Sequence, residues 1–280
     1  MNLTRRMFLR QSAGVLTAAA LCPSAARAAS AAHIKVGACV VGLDAARQAG
    51  LEGVEVRAGN AADELEIFKA ETRAKYKAQM QASGLPICSI MMGLLNDFPL
   101  ATDPRAPAWL TQCVDAAKDL GAKTILVAFF GKGDLLAGKQ IKETEFKAAA
   151  QRIRAAAPYA KEAGVTLAIE NMLNAEQNLR LLEEIGDSSV RLYYDVFNTG
   201  KTQAYDSPAE IRLLKDRIAQ IHYKNGPAYL DADKPYFEAI SAAVKDIGYK
   251  GWIVLETSSP SKDGVADAKR NADFVRSLFA

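Results

Sequence analysis

The feature that most narrows the folds open to this chain is a repeated punctuation. A glycine is followed by a short β-branched and apolar run, and then by a longer segment with helical spacing. Gly50 stands before GVEV, Gly84 before LPICSIM, Gly121 before KTILVAF, Gly164 before VTLAIE and Gly248 before the run ending WIVLE. Each reads as a helix stop and a strand start, because a left-handed residue closes a helix without strain when it has no Cβ. HIKVGACV at 33–40, VRLYYD at 190–195 and RIAQIHY at 217–223 bring the expected strands to eight. Helical spacing occupies 63–82, 106–120, 142–163 and 235–247, with starts expected at Asp63, at Thr102 or Asp103, and at Ser207 before Pro208. Eight such units in roughly 250 residues predict a (β/α)8 TIM barrel, and continuous apolar strands suit a sheet covered on both faces. An open doubly wound sheet is the competing architecture. It lacks its signature here, since GACVVGLDAA after the first strand does not have dinucleotide-binding glycine spacing. No linker or low-complexity run interrupts 33–280, so one α/β domain is expected there.

The first residues read differently. Thr4-Arg5-Arg6-Met7-Phe8-Leu9-Arg10, an apolar run from Ala13 to Leu21, and Ala26-Arg27-Ala28 make a cleavable twin-arginine export signal over 1–28. The protein is therefore expected in the periplasm. The apolar run is too short for a stable membrane span, and Leu21 before Cys22 is a poor fit to lipoprotein processing. Cleavage would remove Arg5, Arg6, Arg10 and Arg27 and no acid from a chain with 35 basic and 32 acidic side chains, turning a formal charge of +3 into −1. A mature chain of that charge has no means of holding nucleic acid by counterion release. Cys39, Cys88 and Cys113 remain, at spacings that match no zinc motif, and are expected as buried thiols.

Four chemistry-bearing side chains stand at four successive strand ends: Glu170, Asp195, His222 and Glu256. In a parallel barrel all such ends open on one rim, so residues 25, 27 and 34 positions apart can meet around one ion. One strand-end acid alone could equally cap a helix or pair with a lysine. Three carboxylates and an imidazole form a hard to borderline donor set suited to one divalent metal ion, Mn²⁺, Co²⁺, Mg²⁺ or Zn²⁺. His33, at the opening of the first strand, is at the wrong end to join them.

The segments LAIENM, YYDVFNTG, IHYKNG and IVLETS resemble the strand-end motifs of the xylose isomerase-like sugar isomerase/epimerase superfamily, over the whole of 33–280. That resemblance implies a TIM barrel. Its ketose 3-epimerase branch holds one divalent ion with Glu, Asp, His and Glu, which match Glu170, Asp195, His222 and Glu256 here. It also implies that Glu170 and Glu256 act as two catalytic bases on opposite faces of the substrate. Two departures stand out. The branch has D-x-x-H where this chain has Asp195-Val196-Phe197-Asn198, and it has an arginine beyond the seventh-strand histidine where the nearest cation here is Lys224.

The expected function is a metal-dependent isomerase or epimerase that removes a carbon-bound proton through an enediolate, acting on a free sugar, keto-sugar or cyclitol. Lys224 is a catalytic candidate for stabilising an oxyanion or leaving alkoxide, which keeps a lyase or dehydratase on 3-keto-glycosides or keto-inositols open. A non-catalytic sugar-binding barrel is the third reading. Glu55, Asn171, Asn198 and Phe129 are candidates for substrate contacts, with Glu55 otherwise paired to Arg57 or Lys35. Met91-Met92 and Phe129-Phe130 offer pocket walls, Thr257-Ser258-Ser259 a conceivable phosphate grip, and Trp252 packing at the far end. Residues 131–139 and 229–234 are the candidate lids. A homo-oligomer is compatible with such a barrel.

Overall fold

Apolar runs that need cover on both faces close on themselves in the computed structural model, which describes residues 34–280. The strands are β1 (Lys35–Ala38), β2 (Gly53–Arg57), β3 (Ile87–Met92), β4 (Thr124–Ala128), β5 (Thr166–Glu170), β6 (Arg191–Asp195), β7 (Ile218–Tyr223) and β8 (Trp252–Leu255). All pair in parallel, in order around a closed barrel, with β8 returning to β1. The helices between and after them are α1 (Leu43–Gln48), α2 (Ala70–Ser83), α3 (Ala106–Leu120), α4 (Glu143–Glu162), α5 (Ala175–Ile185), α6 (Ser207–Leu214), α7 (Lys234–Asp246) and α8 (Gly264–Phe279). Segment 1–28, Cys22 and His33 lie outside the described residues.

Side-chain alternation sorts each strand into two cores. On β4, Ile125 and Val127 join the large cluster between barrel and helices, while Leu126 and Ala128 join a small cluster inside the barrel with Cys88, Ala168, Tyr193 and Val254. Trp252 plugs the base of that interior, with Lys35 Nζ 5.3 Å from its ring. Gly53 is required there, because a Cβ would stand 2.8 Å from the Trp252 ring and 3.0 Å from the Pro86 carbonyl oxygen.

Local chemistry explains where elements begin and end. Gly84, Gly121 and Gly186 close α2, α3 and α5 in the left-handed conformation. Asn174 and Gln177 form a capping box on α5. Two expected starts shift. The run beginning at Asp63 forms only a 3-10 turn at Glu66–Phe68 and is not α-helical until Ala70, because α3 captures the preceding loop: Trp109 Nε1 donates to the Ala62 carbonyl at 2.6 Å, and Gln112 bonds Leu65 N and the Asp63 carbonyl at 2.8 and 2.7 Å. The cap of α6 is Asp206 rather than Ser207, whose hydroxyl is 3.0 Å from that of Thr199.

Cys39, Cys88 and Cys113 are free thiols, Cys88 and Cys113 buried. No described helix is long and apolar enough to cross a membrane. The two candidate lids are tied down. In the first, a short hairpin of Leu136–Ala137 with Gln140–Ile141 forms, and Lys139 donates to the carbonyl and side-chain oxygens of Gln203, both at 2.7 Å. The second coils as a short helical turn, Leu230–Asp233, with Leu230 N bonded to Asn271 Oδ1 at 3.0 Å.

Candidate active site

Register, rather than sequence distance, assembles the strand-end residues. Asp195 pairs with His222 across β6 and β7, Ala128 with Glu170 across β4 and β5, and Val254 with His222 across β7 and β8. The inward-facing side chains two residues apart on each strand therefore rise from the barrel core to its mouth. Ala168 gives way to Glu170, Tyr193 to Asp195, Gln220 to His222, and Val254 to Glu256. Ligand atoms of Glu170, Asp195, His222 and Glu256 all lie within 4.8 Å of one another. Sequence reading placed these four together, and the structure does the same.

His222 is wholly buried and organises the cluster. Its Nδ1 faces three carboxylates: Glu170 Oε1 at 3.3 Å, Glu256 Oε2 at 3.4 Å and Asp195 Oδ2 at 3.9 Å. Its Nε2 faces Glu55 Oε1 at 3.1 Å, and the Tyr193 ring lies against the imidazole at 4.4 Å between centroids. A neutral ring that donates Nε2–H to Glu55 would turn its Nδ1 lone pair to the carboxylates. That is the tautomer that ligates a cation. Asp195 divides its oxygens: Oδ1 accepts from Phe197 N and Asn198 N at 2.8 and 2.7 Å, while buried Oδ2 has no hydrogen-bond partner. Lys224 Nζ stands 3.1 Å from Glu256 Oε2 and 3.5 Å from Asp195 Oδ2.

This arrangement strains ordinary ionisation. Burial pushes Glu170 up to about 7 and raises Asp195 as well. Burial also disfavours charge on Glu256, but His222 and Lys224 outweigh it and hold that carboxyl below its usual range. Burial opposes the imidazolium, yet Glu170 and Glu55 raise His222 well above its ordinary value. Three crowded carboxylates, an imidazole nitrogen facing them and a buried carboxylate oxygen without a hydrogen bond fit a divalent cation. Glu170, Asp195, His222 and Glu256 are the residues that would hold it.

Several substrate-contact expectations are corrected by geometry. Glu55 is 3% exposed, with Oε1 on His222 and Oε2 on the Ser89 hydroxyl at 2.7 Å, so it pairs with neither Arg57 nor Lys35. Asn171 stabilises the loop after β5, donating to Asn178 Oδ1 and accepting from Leu173 N, both at 2.9 Å. Phe129 is 1% exposed in the outer core; Phe130, one residue on, packs with the interior cluster. Met92 is likewise buried outside and Met91 faces inside. Asn198 is half-buried, with its backbone rather than its amide on Asp195. In the conceivable phosphate grip, Ser259 donates its hydroxyl to Asp267 at 2.6 Å and Ser258 to the Gly226 carbonyl at 2.8 Å, while Asp263 caps α8.

Two residues escaped sequence reading. Ser89 and Gln220 form a buried chain below the site, with Gln220 Nε2 donating to Ser89 Oγ at 3.2 Å. The signal for Gln220 was its position, two residues before His222 and hence on the same face. Ser89 was visible only as a polar interruption of an apolar strand.

A family model for xylose isomerase-like TIM barrels matches residues 43–278. A 2-epi-5-epi-valiolone 7-phosphate 2-epimerase from Actinoplanes sp. is 26% identical over 192 residues, 68% of each chain. Among solved structures, an L-ribulose 3-epimerase superposes with a TM-score of 0.70 at 22% identity, covering 88% of this chain and 96% of that one. A 3-keto-D-glucoside 4-epimerase from E. coli gives 0.69 at 15% identity, covering 88% and 100%.

Proposed function

Since the chain belongs to the xylose isomerase-like TIM barrel family, we propose that it is a divalent-metal-dependent isomerase or epimerase of a sugar, keto-sugar or cyclitol. The observation that carries this reading is the convergence of Glu170, Asp195, His222 and Glu256, with Asp195 Oδ2 buried and without a hydrogen bond. A bound divalent ion supplies positive charge beside a substrate carbonyl and its neighbouring hydroxyl, which acidifies the intervening carbon-bound proton. Glu170 on β5 and Glu256 just beyond β8 approach the shared centre from two sides of the mouth. One carboxylate takes the proton and the other returns one, which inverts or relocates the stereocentre. Glu55, anchored by Ser89, keeps the imidazole of His222 in one orientation through the cycle. The relatives' names agree with this reading of the reaction class. On the same reading, the segment 1–28 carries the folded enzyme to the periplasm.

Lys224 favours a second outcome from the same first step. On this reading its ammonium, raised in pKa by Asp195 and Glu256 against the effect of burial and hence protonated, gives a proton to a departing alkoxide, and the enzyme is a lyase. One experiment separates the two. Protein loaded with Mn²⁺ or Co²⁺ is incubated in heavy water with a panel of free and 3-keto sugars, and the products are weighed and mapped by NMR. An epimerase places deuterium on carbon without other change, whereas a lyase releases a smaller or dehydrated product. Glu256→Gln should still bind sugar while exchange falls by at least ~10²-fold. Undiminished exchange in that variant rejects the two-carboxylate scheme.

A further inference from the structure

The barrel mouth has two unequal halves. The four converging residues belong to β5–β8. On the β2–β3 side a cavity of about 480 Å³ opens, and the proposed reaction gives it no task. Its walls include Arg57, Asn60, Met91, Leu94, Asp97 and Phe98. Arg57 on β2 links it to the candidate site. Glu55 touches His222, and Arg57 is the next inward-facing position on β2, about 6.6 Å higher at two residues of strand rise. Arg57 pairs in register with Met91, which belongs to the interior cluster. A ring attached to a sugar at His222 would reach this cavity past Arg57.

Phe98 gives the cavity its character. It is one of four large apolar side chains that are exposed among the described residues, at 39%. Its orientation is nevertheless held. The ring meets Trp109 edge-on at 6.3 Å, and the Arg105 guanidinium lies over both rings, 5.2 Å from Phe98 and 4.6 Å from Trp109. Arg105 is in turn fixed by two hydrogen bonds to the Asp103 carboxylate, at 3.0 and 2.8 Å. The loop is also tied to β4, since Asn96 Oδ1 accepts from Phe130 N at 3.1 Å. On the facing loop, Gly59 has φ +106° and packs so tightly on Glu66 that a Cβ would fall 2.6 Å from that residue's own. An exposed aromatic face, braced from behind and flanked by Asn60, Asp97 and Arg57, suits a ring with an apolar C–H or π face and polar edges.

We infer that this cavity is a second subsite, which receives a ring attached to the reacting sugar and stacks it on Phe98, so that the substrates are glycosides rather than single sugars. The identity of the reacting end rests on the isomerase/epimerase reading above. The attached ring is a second pyranose or an aromatic aglycone, and both present the same flat apolar face.

The test is a binding measurement that does not depend on turnover. Dissociation constants are obtained by saturation-transfer NMR on the Mg²⁺-supplied full chain for methyl, phenyl and glucosyl glycosides of D-glucose and D-galactose. A ring-bearing probe should bind about tenfold tighter than its methyl counterpart, the gain expected from one stacked ring. Phe98→Ala should cancel that gain and leave methyl glycosides unchanged, and Phe98→Trp should keep it. Preference for the glucosyl probe identifies a second sugar, and preference for the phenyl probe an aryl aglycone. Equal affinity across the three, no binding by any ring-bearing probe, or an equal loss for methyl and ring-bearing probes in Phe98→Ala would overturn the inference. Proton exchange in heavy water is read separately on the 3-keto forms. Stacking preference without exchange removes the proposed reaction and leaves the subsite standing.

Discussion

Asp195 shows how one carboxylate can serve structure and chemistry at once. Its Oδ1 is fixed by two backbone amides, which orients Oδ2 into a buried space shared with Glu170, His222 and Glu256. That oxygen has no hydrogen bond and only the Lys224 ammonium beside it at 3.5 Å, and a buried acceptor left so costs about 1–3 kcal/mol unless something else satisfies it. A cation does so for three carboxylates together. Because burial raises Glu170 to about 7 and raises Asp195 too, ion binding below neutral pH must expel protons. Calorimetric titration of Mn²⁺ at about pH 6, in two buffers of different ionisation heat, should report net proton release. Zero release would mean that these carboxyls are not ligands. Of the candidate side chains, the four that converge could be read from the sequence because each ends an apolar strand. Glu55 and Asn171 carry the same signal, a polar residue at a strand end, which does not say that their partners within the protein are His222, Ser89, Asn178 and Leu173.

At the scale of the element, alternation decides which of two adjacent residues matters for what. Phe129 and Phe130 end the same strand, but Phe129 turns outward to the helices and Phe130 inward. Phe129→Ala should lower stability by about 3–5 kcal/mol in denaturant unfolding. Phe130→Ala, at a half-buried position near the mouth, should cost less than half as much. The reverse order would contradict the assigned faces. The loop before α8 depends on one acid. Burial works against the Asp267 carboxylate, but Ser259, Ser261 and Tyr229 outweigh it and bring its pKa down to about 2, from 3.8 when unfolded. Its folded-state pKa is depressed, so its stabilising effect is present in full above about 3.8 and is lost as pH falls toward 2. The stability gap between the native chain and Asp267→Asn should therefore be constant near neutrality and shrink below pH 4, as followed by unfolding midpoints across pH. Element boundaries were legible where a glycine or proline marked them. They were not at 63–69, where Trp109 and Gln112 of α3 hold the backbone in a loop that local propensity would have made helical.

For the whole molecule, closure is what makes the site. It brings β2 across from β7, so that Glu55 reaches His222 over a sequence separation of 167. It also brings β5 and β8 to one rim. An ion that binds only the closed barrel must stabilise it. Mn²⁺ at a hundredfold excess over its dissociation constant should add about 2.7 kcal/mol, or roughly 5–10 °C in melting midpoint for a domain of this size. Thermal scans with and without the ion check this, and Asp195→Asn should abolish most of the shift. The sequence by itself determined the eight-unit alternation and the four strand-end donors, because strand period, glycine stops and residue chemistry are local properties of the chain. Only the tertiary structure decided that Glu55 braces the imidazole, that Asp267 gathers Ser259, Ser261 and Tyr229, and that Phe98 stands braced over a second cavity. Those outcomes depend on which neighbours the closed barrel presses together, and no local pattern in the chain specifies them.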